Sequence, residues 1–391
     1  MSRRANPLVL VVAALGRLAA QDGAASAEVR VDEILAAIRA EYDVTALAAL
    51  CLRGDRVVAL GADGLRRRGA DAKVTVDDVW HLGSCTKAMT ATLCGMLVDE
   101  GRLDLDARLP GLFPEIADDI HAGFAEVTLR DLLRHRAGLP ANPTLDGLWT
   151  SMLRKDLTLP EIRAEVAAGI LAAGPSGKPG EYLYANTGYI LAGSVLERIT
   201  GRSWEDLMQE RLFGPLRMSS AGFGPPGTPD RLDQPVGHMR GVRAQPVPWA
   251  QADNPPALGP AGTVHASLRD WARFIALQIG ADHRDPPLIS PRALAALREV
   301  PAGGDYACGF VITTRTWAHG PVLTHTGSNT RWWAVVWCAP EDGFAVLAVC
   351  NEGGDPAAKA TDAACAALIQ RFGPKSGSSA DGVRTPSRTR R

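Results

Sequence analysis

The 391-residue sequence has almost no net charge: 42 Lys and Arg against 43 Asp and Glu leave −1. Without an excess of either sign there is no electrostatic case for nucleic acid or for a strongly charged partner. Seven cysteines are present, yet none forms a C-x-x-C pair, and their spacing supplies neither a zinc site nor a disulfide framework. Cys51, Cys85, Cys94, Cys308, Cys338, Cys350 and Cys365 sit mostly among apolar neighbours and read as small buried hydrophobes. The chain lacks H-E-x-x-H, G-x-x-x-x-G-K-[ST] and G-x-S-x-G, which removes zincin, P-loop and α/β-hydrolase chemistry. Its eight histidines show no metal-ligand spacing, so neither a metal nor an organic cofactor is expected. No apolar run approaches the roughly 18 residues that span a bilayer, and no internal repeat is present.

What is there has the texture of a globular protein, 46% apolar and 22% charged, with length for one large core or two modest ones. Residues 1–27 place Arg3 and Arg4 before an apolar run from Leu8 to Leu15, then Ala25-Ser26-Ala27. That order reads as an export signal with a small-residue cleavage site, and implies a periplasmic or secreted protein; otherwise the protein is cytoplasmic. From Gly373 to Arg391 a Ser/Gly/Pro/Arg-rich stretch without aromatics reads as a disordered basic tail.

Between these ends, "VDEILAAIRAEY" has helical periodicity, and "VTALAALCLRGDRVVALGADGL" reads as two strands joined at Gly54-Asp55. A helix is expected from near Ser84 to Glu100, stopped by Gly101. Helical stretches and Pro/Gly-rich loops follow to about residue 264. Then "YACGFVITTRTW", "GPVLTHTGS", "RWWAVVWCAP" and "GFAVLAVCNE" return to strand texture, before a closing helix over "DPAAKATDAACAALIQRF". Strands at both ends with helices between predict an α+β fold, in which one antiparallel sheet is built from both termini (residues 28–100 and 265–372). A mainly helical region, 101–264, is inserted between them.

The stretch "HLGSCTKAMTATLCGML" offers Ser84, Cys85 and Thr86 as nucleophiles and Lys87 as an activator. On a helix, residues three apart are neighbours and residues two apart face away from each other, so Lys87 reaches Ser84 and not Cys85. Cys85 continues into Met89, Leu93 and Met96, an apolar stripe. Ser84 continues into Ala88, Ala91 and Gly95, small residues that admit a close neighbour. Thr86 leads a mixed face without a titratable partner. A serine hydroxyl needs a base, and lysine serves only when its pKa is depressed. By itself S-x-x-K is a weak signal, and an exposed Ser/Lys pair is its default reading.

Two further segments change the reading. Tyr184-Ala185-Asn186 stands just before a helix, and His325-Thr326-Gly327, followed by Ser328, lies in an expected strand. With Ser84-x-x-Lys87 this ordered set resembles the penicillin-recognising serine hydrolases: class C β-lactamases, D-alanyl-D-alanine carboxypeptidases and family VIII-like esterases. "LLRHRAGLP", "GPAGTVHASLRDWARF" and "WCAPEDGFAVLAVCNEG" carry the same resemblance, which covers roughly residues 30 to 372.

The resemblance implies a β-lactamase/transpeptidase-like fold and a role for each residue. Ser84 is acylated, Lys87 and Tyr184 share the base and acid work, and Asn186 binds substrate and Lys87. His325 stands where class C β-lactamases usually carry lysine. The N–H groups of Ser84 and Ser328 form an oxyanion hole, Gly327 leaves room for substrate along the strand, and Thr326 and Ser328 are available to a substrate carboxylate. Trp332 and Trp333 are expected to line the cleft. His81 and His135 are read as structural, no orienting carboxylate for His81 being evident.

The expected function is a β-lactamase-related serine hydrolase acting on an amide or ester carbonyl of a small molecule or peptide. Carboxylesterase or D-Ala-D-Ala peptidase activity without useful β-lactamase activity is the alternative. A non-catalytic binding or scaffold protein on the same fold is the reading from a different class. Nothing in the sequence specifies an oligomeric state.

Overall fold

The run Ala46-Leu-Ala-Ala-Leu-Cys-Leu52 has no polar position, a pattern suited to a strand covered on both faces. The computed structural model describes residues 28–144 and 147–375; the expected export signal, and the basic tail beyond Lys375, lie outside them. Its strands in chain order are β1 (Val29–Arg30), β2 (Ala46–Arg53), β3 (Arg56–Gly64), β4 (Val79–His81), β5 (Gly222–Phe223) and β6 (His238–Arg240). They continue as β7 (Ala244–Pro246), β8 (Val264–Ser267), β9 (Val311–Thr313), β10 (Val322–Ser328), β11 (Trp333–Ala339) and β12 (Phe344–Cys350). Seven of them form one sheet in the order β1-β3-β2-β12-β11-β10-β9.

Strands from both ends of the chain meet at the β2–β12 pair, registered Leu50 on Leu347. All neighbours are antiparallel except β1, which runs parallel to β3 at the edge. The covering of β2 is two-sided. Leu47, Ala49 and Cys51 face the helices Asp32–Glu41 and Asp355–Phe372 through Leu35, Ile38, Ala364 and Leu368. Ala48, Leu50 and Leu52 face the larger core around helix Thr86–Asp99. The result is an α/β sandwich with the site on its second face.

Helix Thr86–Asp99 is preceded by a 3-10 turn, Gly83–Cys85, and the chain leaves it at Gly101 with φ +66°. Cys85, Met89, Leu93 and Met96 are buried as the stripe predicts. The opposite face is buried too: Thr86 Oγ1 accepts from Val264 N at 3.2 Å, and Thr90 Oγ1 donates to Pro260 O at 2.7 Å. The helix therefore runs through the core rather than along a surface, and Thr86, on the mixed face, is a buried tie to β8. Small residues on the Ser84 line do admit close neighbours. Gly309 lies so near that a Cβ there would meet the Ala88 Cα at 2.5 Å.

That approach also explains a difference from expectation. Of the stretch from Tyr306 to Trp317 only Val311–Thr313 is strand. Ala307, Cys308 and Gly309 instead pack down on helix Thr86–Asp99 and Leu297, to whose carbonyl the Cys308 N–H donates at 3.0 Å. A small sheet, β4-β8-β5, holds the chain entering the Ser84 turn. Leu82 N donates to Val264 O at 2.8 Å just before that turn.

Candidate active site

Ser84 sits in the 3-10 turn, and the Lys87 side chain one turn on is wholly buried. The Lys87 Nζ lies 3.0 Å from Ser84 Oγ, 2.8 Å from Asn186 Oδ1 and 2.7 Å from Ala261 O. Burial without a carboxylate partner lowers its pKa from 10.5 to about 7. A neutral amine has two N–H bonds and one lone pair. The Asn186 and Ala261 oxygens can only accept, so they take both N–H bonds and leave the lone pair to receive the Ser84 hydroxyl proton. Asn186 is held in turn by Asn142, whose Oδ1 accepts from Asn186 Nδ2 at 2.9 Å. Its side chain is thus directed at Lys87 and does not cap the helix Asn186–Thr200 that it begins.

Tyr184 completes the group. Its ring centroid is 5.0 Å from Lys87 Nζ, and burial holds its phenol above its ordinary value while a hydrogen bond with Ser84 acts the other way. The His135 ring lies 4.2 Å from that of Tyr184 and its Nδ1 accepts from Ala185 N at 3.1 Å. His135 therefore positions the Tyr184 segment from beneath, and burial followed by the nearby Lys87 pushes its pKa down to about 2.

His325 is brought to the same face but not to Lys87. Its Nδ1 contacts the Thr326 carbonyl oxygen at 2.6 Å, so Nδ1 carries the hydrogen and Nε2 accepts from the Tyr306 hydroxyl at 2.9 Å. Burial, then Lys87, lowers its pKa to about 3 and keeps it neutral. Tyr306, which strand texture concealed, is thus the partner of His325.

Several expected roles are reassigned by the strand's alternation of faces. His325 and Gly327 pair with Val336 and Ala334 on the Ser84 face, whereas Thr326 pairs with Val335 on the other. The Ser328 hydroxyl donates to Trp332 O at 2.7 Å and accepts from Thr330 N at 2.9 Å, so it closes a turn instead of facing a ligand. Gly327 is required by the protein itself. A Cβ there would fall on the Leu82 carbonyl oxygen and lie 2.9 Å from Ser84 N. Trp332 does not line the cleft beside Ser84: it is 1% exposed and packs edge-on against Trp80, while Trp333 packs on the opposite face of the sheet.

His81 also differs from expectation, since an orienting carboxylate exists. Its Nε2 is 2.8 Å from Asp253 Oδ2, 172 residues along the chain. Its Nδ1 accepts from Gly83 N at 3.1 Å, so both ring nitrogens are engaged away from the Ser84 hydroxyl. Sequence distance hid this pair. The neighbouring cleft, about 540 Å³, includes Trp149, Leu153, Phe223, Trp249 and Thr263 in its lining. Thr263 follows Gly262, which abuts Gly83 and Ser84.

Cys85 has the opposite environment to Ser84. It is 2% exposed, with Sγ 3.7 Å from His325 O, and burial raises its thiol pKa. Cys85→Ala is expected to destabilise by roughly 1–2 kcal/mol through the small cavity left behind, while the Ser84 hydroxyl keeps its reactivity. Denaturant melts and covalent labelling with a fluorophosphonate check the two halves, and loss of labelling in folded protein would count against the assignment. Among the described residues no helix is long and apolar enough to cross a membrane, and no group of three or more His, Cys, Asp or Glu could hold a metal ion.

A helix-sandwiched sheet with a buried amine, a hydroxyl and a phenol grouped at one strand has the architecture of the penicillin-recognising hydrolases. The chain belongs to the Beta-lactamase family, whose profile matches residues 31–370, and is a hydrolase of that family. Penicillin-binding protein 4 of Amycolatopsis lactamdurans is 30% identical over 331 residues, 81% of this chain and 83% of that protein. Lovastatin esterase of Penicillium rubens is 29% identical over 166 residues, 38% of this chain; the match spans only 41% of the esterase. The D-amino acid amidase of Ochrobactrum anthropi SV3 shares the fold with a TM-score of 0.68 at 21% identity, covering 87% of this chain and 99% of the amidase.

Proposed function

We propose that the protein is an acyl-transfer hydrolase in which Ser84 forms a covalent acyl-enzyme. The observation that carries this reading is the geometry of Lys87 Nζ: Asn186 Oδ1 and Ala261 O take up two N–H bonds, and Ser84 Oγ lies 3.0 Å from Nζ, where the lone pair of a neutral amine would face it. The Ser84 oxygen attacks the substrate carbonyl carbon as its proton passes to Lys87. The bond to the leaving group then breaks, the leaving group takes the Tyr184 proton, and Lys87 returns a proton to Tyr184. Water hydrolyses the acyl-enzyme by the reverse relay. A phenol held protonated suits Tyr184 as the acid and leaves Lys87 as the resting base. The oxyanion would lie between Ser84 N and Ser328 N, which adjacent backbone brings together.

The surroundings favour a substrate whose leaving side has no carboxylate. His325 is neutral, Thr326 belongs to the other face, and the Ser328 hydroxyl is committed to its turn. The neighbouring cleft has Trp149, Leu153, Phe223 and Trp249 in its lining, together with the charged Glu205, Asp253 and Arg331. From the neutral His325, the occupied Ser328 hydroxyl and the aromatic part of that lining, we read the substrates as esters or amides with an apolar acyl group, which favours the esterase branch over β-lactam or D-Ala-D-Ala turnover.

The test is a panel of p-nitrophenyl butyrate, nitrocefin and a D-Ala-D-Ala peptide, run beside fluorophosphonate labelling of wild type and Ser84→Ala. Wild type is expected to be labelled and to turn over the butyrate fastest, and Ser84→Ala to do neither. Equal labelling of Ser84→Ala would overturn the nucleophile, and faster turnover of nitrocefin or the peptide would overturn the ester preference.

A further inference from the structure

We infer that Asp253 is a positioning residue that sets the spacing of the two backbone N–H groups facing the oxyanion. It does so by holding the Ser84 turn through His81 and the Ser328 turn through Asn329. The inference rests on the acyl-transfer reading above.

The two N–H groups belong to segments that are far apart in sequence. Ser84 N follows β4, and Ser328 N ends β10. The two backbones are in close contact: a Cβ on Gly83 would lie 2.5 Å from Ser328 N and 2.8 Å from Gly327 C. Gly83 has φ +51°, a left-handed conformation that a side chain would oppose. β4, which leads into the Ser84 turn, and β10 belong to different sheets, so no ladder pairs one with the other.

Asp253 supplies the missing link. On one side, Gly83 N–H donates to His81 Nδ1 at 3.1 Å, which requires the ring hydrogen on Nε2, and Nε2 donates to Asp253 Oδ2 at 2.8 Å. This fixes the plane of the Leu82–Gly83 peptide one residue before Ser84. On the other side, Asp253 Oδ1 accepts from Asn329 Nδ2 at 3.0 Å, one residue after Ser328. Asn329 is itself clamped, since Nδ2 also donates to Ala252 O at 3.0 Å and Oδ1 accepts from Arg331 N at 3.2 Å. The Asn254 N–H is the third donor to the carboxylate and the second to Oδ1, at 2.7 Å.

The bridge is buried. The side chains of His81 and Asp253 are 0% and 5% exposed, and the His81 ring stacks on Trp332 with centroids 6.4 Å apart. A carboxylate is the group this place needs, because it accepts from both arms at once. An amide can accept on one oxygen only, so it would turn a donor toward either His81 or Asn329.

Catalysis is sensitive to such spacing, because hydrogen-bond donors act on the oxyanion only at contact distance. The experiment compares wild type, Asp253→Asn and Asn329→Ala, the second substitution cutting one arm while keeping His81 and Asp253 together. With p-nitrophenyl butyrate, kcat is expected to fall about 10- to 100-fold in each, a scale set by small misplacements of reacting groups. KM should stay nearly constant.

The affinity for phenylboronic acid, which places an oxygen between the two N–H groups, should fall in parallel. A merely structural role would lower the melting temperature without that parallel. Folded variants with wild-type kcat and boronate affinity would overturn the inference. If Asp253→Asn does not fold, Asn329→Ala alone decides it. Failure of fluorophosphonate to label wild type would overturn the acyl-transfer reading itself, an outcome distinct from labelled wild type with unaffected variants.

Discussion

Lys87→Met is expected to slow acylation by roughly 10²- to 10⁴-fold, the usual worth of a positioned general base, while the protein stays folded. Methionine keeps the unbranched apolar stem and removes an amine that burial already disfavours in its charged form. With a folded-state pKa of about 7 against the ordinary lysine value of 10.5, the unfolded chain binds the extra proton between those values. Wild-type stability should therefore rise with pH from about 7 to 10.5, and the Lys87 penalty should be fully present below 7. Lys87→Met should lose that slope.

Activity should follow the same group with the same sign. In the proposed mechanism the neutral amine is the base, so the single-turnover acylation rate should climb through an apparent pKa near 7 and level off above it. Urea melts across pH, paired with stopped-flow acylation, separate the two effects. A rate independent of pH between 5 and 9, or a Lys87→Met protein that acylates normally, would remove Lys87 from the mechanism.

Gly327→Ala is expected to inactivate the protein more thoroughly than its one added carbon suggests. The new Cβ would fall on the Leu82 carbonyl oxygen and stand 2.9 Å and 3.0 Å from Ser84 N and Cys85 N. All three obstacles are backbone, which cannot rotate aside as a side-chain tip can. The added methyl should cost roughly 3 kcal/mol by overpacking. The strand must also retreat from the Ser84 turn, which separates Ser84 N from Ser328 N. A folded Gly327→Ala protein should show kcat reduced by about 100-fold or more. Ala334→Gly, on the paired strand and the same face, serves as a control for general weakening of the sheet. Near-normal kcat in Gly327→Ala would show that β10 and the Ser84 turn are not in the contact described.

Much of the fold was legible because its strongest signals are local. The two-faced burial of β2 is written in its unbroken apolar run, and the β2–β3 hairpin in Gly54-Asp55. The helix after Ser84 follows from periodicity and from Gly101. The pairing of Ser84 with Lys87 needs only the helical repeat. Tyr306-Ala307-Cys308-Gly309 misled, because its strand-like composition serves close packing against Ala88, a neighbour more than 200 positions away in the chain. Trp332 and Trp333 misled for a different reason. Two aromatics in a row suggest one wall, yet Trp332 precedes β11 and packs against Trp80 in the larger core, while Trp333, the first residue of β11, packs on the other face of the sheet.

The sequence by itself determined which residue types could do chemistry here and their order along the chain: Ser84 and Lys87, Tyr184 and Asn186, His325 to Ser328. Only the tertiary structure decided what state they are in. The lowered pKa of Lys87 comes from burial, and the groups around its Nζ enter from residues 184, 186, 189 and 261. The neutrality of His325 depends on burial beside Tyr306, and the carboxylate that orients His81 arrives from residue 253. Desolvation and hydrogen-bond direction are properties of what surrounds a group. A linear pattern can place a lysine next to a serine, but the fold must take the water away before that lysine becomes a base.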